Sequence, residues 1–287
     1  MFECVINISE GRDATALAAF ARSAGASLRD VHSDYFHHRS VFTLINDRGS
    51  LIHDVRSFIT AVMATLDVRH HDGVHPRTGV VDVVPFVSLD HDLAGAVTLR
   101  NDTANWMIQN FPVGVFLYGP APSGPTDCSV VTLPGVRARA RRHETPDLAA
   151  SVIDPRVGIS MVGARDLLVA WNIWLSGVSL AAARELARTL RSTSTRTLAF
   201  PVGDFVQVSC NFVDPLNARC DLILDELIRE LPHGGKLDHC ELVGLAPRAV
   251  LRTIDSSRWE QLGLSDQGTI EYRLEQHNGP ADTPRGH

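Results

Sequence analysis

An α/β or α+β protein made of two β-α-β units is what this sequence predicts, on three observations. Short β-branched runs alternate with segments whose apolar residues recur at helical spacing, the pattern of strands covered by helices. Hydrophobic residues make up 44% and charged residues 21% of the 287 positions, which is enough to bury a substantial core without extensive disorder. After a weakly patterned stretch from 126 to 155 the strand-and-helix rhythm begins again, placing a boundary near Gly163. The expected division is 1–162, 163–255 and a tail at 256–287.

In chain order, Phe2 to Ile8 alternates as a strand, and N-I-S-E-G-R turns it at Gly11 into a helix from Asp13 to Ser23. Leu28 to His32 and Ser40 to Asn46 are strands around a polar loop, His37 to Arg39. Leu51, Val55, Phe58, Ile59 and Val62 give Gly49 to Leu66 one apolar helical face. Val80 to Val87 is a strand, Leu89 to Asn110 a helix and Val113 to Tyr118 a strand, before the breaker G-P-A-P-S-G-P. Residues 126–155 read as a loop-rich connection carrying a basic run, R-A-R-A-R-R, at 137–142. Strands follow at Leu167 to Ile173, Thr197 to Val202, Phe205 to Phe212 and Cys240 to Leu245, with helices at Leu180 to Arg191, Ala218 to Leu231 and Pro247 to Ile254. The polar last thirty residues read as an ill-packed tail.

Composition excludes several classes. A formal net charge of −6 provides no basic field for nucleic acid. No apolar run approaches the roughly 20 residues that span a bilayer, and Met1 to Arg12 lacks a signal-peptide layout, so the expected location is the cytoplasm. Cys4, Cys128, Cys210, Cys220 and Cys240 are widely spaced with no C-x-x-C pair, which favours reduced, buried thiols over a disulfide framework or a cysteine zinc site. Lys236 is the single lysine, an arginine bias that genome composition explains as well as binding does.

The densest chemistry lies at 70–86, H-H-D-G-V-H-P-R-T-G-V-V-D-V-V-P-F, a loop restricted by Gly73, Pro76 and Gly79 that runs into an apolar strand. His70, His71, His75 and Asp72 could ligate a metal, but the spacing is not H-E-x-x-H and Gly73 breaks the helix that would align two histidines. His70 and His71 read better as a solvated helix end. Pro76 biases His75 to an extended backbone, so its ring projects from a loop edge, either into a cleft or onto a carbonyl. In D-V-H-S-D at 30–34, strand alternation puts Asp30 and His32 on one face, where the carboxylate can orient the ring or simply end a strand. Asn7 or Ser9 can cap the helix after N-I-S-E-G-R, and the amides there can also hold an anionic group. The single Gly11 does not make a dinucleotide fingerprint, and G-x-S-x-G is absent. The basic run at 137–142 is a solvated face or an attractor for an anionic ligand tail.

Several stretches taken in order resemble the formiminotransferase family: E-C-V-I-N-I-S-E-G-R at 3–12, D-V-H-S-D-Y-F-H-H-R-S-V-F-T-L at 30–44 and H-D-G-V-H-P-R-T-G-V-V-D-V-V-P-F at 71–86. Further pieces are V-F-L-Y-G at 115–119, T-L-P-G-V-R at 132–137, G-A-R-D-L-L-V-A-W-N-I at 163–173, Q-V-S-C-N at 207–211 and E-L-V-G-L-A-P at 241–247. The resemblance spans residues 2–254. It implies two subdomains whose sheets face each other across a substrate tunnel with helices outside, and a homodimer without nucleic-acid or membrane partners. The implied activity is transfer of a formimidoyl group between N5 of tetrahydrofolate and an amine, with 5-formimidoyltetrahydrofolate as co-substrate and no metal. The family's catalytic histidine falls on His75, and the position opposite it, an aspartate in some members, falls on His32. Asp30 and Arg39 would support that pair. Arg77, Gly79, Asn7, Ser9, Gln207, Asn211 and Glu241 are the further implied substrate- or folate-binding positions.

Two departures qualify the acceptor. Ile6 stands where V-P-N is usual, and V-V-T-L-P-G-V-R-A-R-A-R-R at 130–142 lacks two arginines and an acidic pair of the common stretch. Fewer arginines weaken recognition of a dicarboxylic acceptor such as glutamate, which makes another primary amine, such as a glycyl group in streptothricin-like antibiotic biosynthesis, an expected alternative. The rival classes are a non-catalytic folate-binding protein of the same fold and a zinc-dependent hydrolase using His71 and His75.

Overall fold

The computed structural model describes residues 1–120, 130–276 and the backbone of 285–286. It divides into two compact units, Met1–Asp166 with the C-terminal end from 283, and Leu167–Asp282. Each builds its own sheet, as the mixed α/β pattern requires.

The first unit holds strands β1 (Phe2–Ile8), β2 (Leu28–Asp34), β3 (Arg39–Asn46), β4 (Val81–Ser88), β5 (Gly114–Pro120), the two-residue β6 (Val130–Val131) and β7 (Leu148–Ala149), and β8 (Ile159–Ala164). Sheet order runs β2-β3-β1-β4-β8-β5-β6, antiparallel from β2 to β4 and parallel across β4, β8 and β5. Helices α1 (Ala14–Ser23), α2 (Arg48–Thr65) and α3 (Leu93–Asn110) cover one face. Each starts on an aspartate, Asp13, Asp47 and Asp92, whose carboxylate accepts first-turn amides that would otherwise lack partners. Cys4, Ile6, Ile8, Phe42 and Leu44 meet Phe20, Phe58 and Leu99 in that core. Val83, Phe116, Tyr118 and Met161 point the other way, onto Val136 of α4 (Leu133–Arg141).

Alternation along β4 is broken once. Asn7 pairs with Val83 and Ile8 with Val81, so Asp82 is the extra residue of a β-bulge. Bulges re-aim a side chain, and this one turns the only charged residue of an apolar strand toward the adjoining loop.

In the second unit, β9 (Val169–Ser176), β10 (Thr195–Val202), β11 (Phe205–Phe212) and β12 (Lys236–Val243) form an antiparallel sheet of order β10-β11-β9-β12. Its apolar face, with Trp171, Ile173, Val208 and Cys210, buries against α5 (Leu180–Thr189) and α6 (Cys220–Arg229) through Leu186, Leu224 and Leu227.

The structure corrects two expectations and adds a strand. Part of the supposed loop-rich connection is α4, capped by Thr132 and opened by Pro134, a pairing that suits a helix start even where hydrophobic periodicity is poor. Strand β8, between β4 and β5, went unassigned because it is short and nearly all buried. Residues 256–276, expected as an ill-packed tail, carry α7 (Arg248–Leu251) into two 3-10 turns and α8 (Ile270–Glu275). Leu262 and Ile270 are buried there, Trp171 Nε1 donates to the Leu262 carbonyl at 2.8 Å, and Arg248 pairs with Asp266 and Glu275. The last pair of described residues, β13 (Arg285–Gly286), runs parallel to β2. Most of the breaker after Tyr118, Cys128 and residues 277–284 lie outside the described residues. Cys4, Cys210, Cys220 and Cys240 are buried free thiols. No helix among the described residues is long and apolar enough to cross a membrane.

Candidate active site

Asp82 is the fixed point of the site. Its side chain is fully buried and accepts from Arg39 Nη1 at 2.7 Å, Arg137 Nη2 at 2.6 Å, the Thr78 amide at 2.9 Å and the Thr78 hydroxyl at 3.0 Å. Burial alone would raise its carboxyl, but the two guanidiniums hold it far below the usual carboxylate range. Arg39, at the start of β3, also donates to Asn7 Oδ1 at 3.0 Å, and Arg137, on α4, donates to the Pro76 carbonyl at 2.8 Å. One carboxylate thus ties β1, β3, β4 and α4 to the loop.

His75 hangs from that frame. Its Nδ1 lies 2.7 Å from the Pro76 carbonyl, which can only accept, so Nδ1 carries the proton and Nε2 the lone pair of the neutral ring. Burial, then Arg39 and Arg137, push its pKa well below the ordinary histidine value. The ring meets His37 edge to face at 5.6 Å.

The loop around it is locked by its own side chains. Arg77 donates to the Gly73 carbonyl at 2.8 Å and to the His71 carbonyl, so its charge is engaged with the loop's backbone. His71 Nε2 donates to the His38 carbonyl at 2.6 Å while its Nδ1 accepts from the Gly73 amide at 3.1 Å, and its ring stacks on His38 at 4.2 Å. With Nδ1 accepting, the ring cannot take a second proton without losing that bond, and burial lowers its pKa to about 4. His71 is therefore a structural strut, not the solvated helix end expected of it; His70 alone is exposed. A Cβ on Gly73 would collide with the His37 carbonyl, so this position has to be glycine for the loop to reach the β2–β3 turn. Gly79 bridges to Gly158, and its carbonyl accepts from Ser9 Oγ at 2.8 Å.

Asp30 and His32 lie on one face of β2, in register with Thr43 and Val41 of β3. In the second unit, Glu241 Oε1 accepts from Trp174 Nε1 at 2.8 Å, Asn172 Nδ2 at 2.9 Å and Gln207 Nε2 at 3.3 Å. Asn211 sits farther along β11, opposite Arg196 and Ala170. So the structure brings together His75, Arg39, Asn7, Arg77, Gly79 and Ser9 in the first unit, and Gln207 with Glu241 in the second. Sequence reasoning passed over Asp82, Arg137, His37, Asn172 and Trp174. A lone aspartate inside V-V-D-V-V was a usable signal for the first, since charge in a buried strand demands partners. Among the described residues no group of three or more His, Cys, Asp or Glu is arranged to hold a metal.

Known proteins resemble this chain over most of its length. Residues 1–165 match the family profile described as the formiminotransferase domain, N-terminal subdomain. A glutamate formimidoyltransferase of Thermoplasma acidophilum is 30% identical, with 95% of this chain and 96% of that protein aligned. A second one, of Streptococcus pyogenes, is 29% identical over 96% of this chain and 97% of its own length. The formimidoyltransferase-cyclodeaminase of Dictyostelium discoideum is 27% identical over 89% of this chain, which covers 52% of that longer protein.

Proposed function

The chain belongs to the formiminotransferase family, and from that premise we propose that it moves a formimidoyl group between N5 of tetrahydrofolate and a primary amine, with His75 as the acid/base. The observation that carries this is the His75 ring itself: its Nδ1 proton is fixed on the Pro76 carbonyl, which leaves the lone pair on Nε2, and burial with the charges of Arg39 and Arg137 favours the neutral form. The bound amidine supplies an electrophilic carbon. His75 Nε2 takes the proton that the attacking amine must lose, and the resulting imidazolium returns a proton to the departing nitrogen. Arg39 and Arg137 make that imidazolium a stronger acid, which suits delivery to a weakly basic ring nitrogen. Asp82 keeps the guanidiniums in place without neutralising both, so the field acts on the imidazole while the loop stays rigid.

His32 would position the transferred group with Asp30 beside it, and Gln207, Asn211 and Glu241 would contact folate. Asn7, Ser9, Arg77 and Gly79 serve through the loop they brace. The family resemblance further supports a cytoplasmic homodimer that works without a metal. A zinc hydrolase using His71 is disfavoured, because both nitrogens of that ring are committed to backbone groups.

For the acceptor, the names of the two full-length relatives support glutamate. The altered stretch supports another amine, such as the glycyl group of a streptothricin-like antibiotic: Arg137 is held by Asp82, and Arg139 by Glu144 and Asp147. Incubation with 5-formimidoyltetrahydrofolate and either glutamate or glycyl amines, read by mass, separates them; efficient turnover of glutamate removes the glycyl reading. His75→Ala should lower turnover about 100- to 10,000-fold with folate binding little changed. Unchanged turnover would remove His75 from the role. Folate binding by the wild type without turnover on any amine would leave a binding protein.

A further inference from the structure

Glu3 is a second buried carboxylate of the first unit, and the loop chemistry does not use it. It is 2% exposed, yet no described residue donates a hydrogen bond to its carboxylate. Alternation along β1 sends Cys4, Ile6 and Ile8 into the helix-covered core and therefore places Glu3, Val5 and Asn7 on the opposite face. Asn7, at the far end of that row, is bonded to Arg39 and through it to Asp82 and the His75 loop. Between them in register, opposite Val5 on β3, is Thr43, fully buried with its hydroxyl lacking a partner. A buried acceptor and a buried hydroxyl left open on one strip of sheet are groups that a ligand would satisfy.

We propose that Glu3 holds the pterin ring of the folate co-substrate by its 2-amino and N3–H edge, with the ring lying along β1 past Thr43 toward Asn7 and His75. This rests on the folate-dependent reading above. Two adjacent N–H donors match the two oxygens of a carboxylate, a bidentate pairing stronger than separate neutral hydrogen bonds. The spacing fits as well. Four residues of strand separate Glu3 from Asn7, about 13 Å, a span that a bicyclic ring fills with one hydrogen bond at each end. Burial pushes the Glu3 carboxyl up to about 7 against the pull of Arg165, as expected for a charge that lacks its donors.

The test pairs one substitution with one ligand change: full-length wild type and Glu3→Gln are titrated with 5-formyltetrahydrofolate and with its 2-desamino analogue. Loss of the 2-amino group should weaken binding to the wild type about 10- to 100-fold, and by clearly less to Glu3→Gln, whose amide oxygen offers one neutral hydrogen bond in place of the charged bidentate pair. Glu3→Gln should also raise KM for 5-formimidoyltetrahydrofolate more than it lowers kcat. Equal penalties in the two proteins overturn the placement. So does a wild type that binds both probes equally, a result that needs no folded variant. A wild type that binds neither probe overturns the folate reading itself, and the placement with it.

Discussion

Asp82 and Glu241 are buried carboxylates on the two sheets, and they are satisfied in opposite ways. Asp82, 0% exposed, is gripped by two guanidiniums and a threonine. Glu241, 6% exposed, has an amide, an indole and a second amide converging on one oxygen. The first arrangement is organised by charge: paired cations are anchored where they act on an imidazole they do not bond. The second is organised by direction, since neutral donors fix where an oxygen points. The former suits the proton transfer proposed for His75, and the latter suits the ligand contact proposed for the second unit.

Removing the negative charge at each place breaks the contrast or sharpens it. Asp82→Asn leaves Arg39 and Arg137 without the buried anion they share and should cost about 3–5 kcal/mol of stability. Glu241→Gln keeps an oxygen for its donors and should cost about 1 kcal/mol. Urea unfolding of both variants checks the pair, and equal losses would show that charge is not what distinguishes the two sheets.

A smaller effect is expected from Arg137→Met, which keeps the Arg39–Asp82 bond. Loss of the Pro76 anchor should lower kcat about tenfold. Arg137 holds the His75 pKa down, so its removal raises it. If His75 is the acid/base proposed above, turnover needs its neutral ring and fails as pH drops through that pKa, so the acid limb of kcat/KM moves to higher pH. An unmoved limb would mean that burial and Arg39 set the His75 pKa without help from Arg137.

Much of this frame could be read from the chain and part could not, for identifiable reasons. Period-2 and period-3.6 patterning located β1, β11, α2 and α5, and runs of β-branched and apolar residues located β3 and β4, which are buried on both faces. It failed at α4, a short helix with three arginines and little apolar stripe, so that the run holding Arg137 reads as a solvated face or an attractor for an anionic tail, whereas Arg137 reaches inward to Asp82. That the His75 ring meets a carbonyl was legible as one of the two placements H-P-R leaves open, while the role proposed for it came from the family resemblance. The partners of His75 were not, because Asp82 reaches the loop by way of a bulge, and in a strand that is apolar on both faces a bulge does not show in the hydrophobic pattern. Asn172 and Trp174 lie on strands whose pairing carries them to Glu241 from nearly seventy residues away, a distance no local pattern spans.

His71 gives the smallest expected effect and the most local check on the charge-organised side. Its folded pKa of about 4 lies below the ordinary 6.5, so between those values the unfolded chain binds the proton and the folded chain does not. Stability should therefore be fully present above pH 6.5 and decline as pH falls toward 4. His38 and His75, also pushed down, add in the same direction. His71→Gln can still donate to the His38 carbonyl but does not titrate, so unfolding followed from pH 7 to pH 4 should show a shallower decline, by about 1 kcal/mol after solvent screening of a half-buried ring. Parallel curves would mean that the His71 ring, once protonated, finds an acceptor as good as the Gly73 amide it loses, and that the strut is held by packing on His38 instead of by its hydrogen bonds.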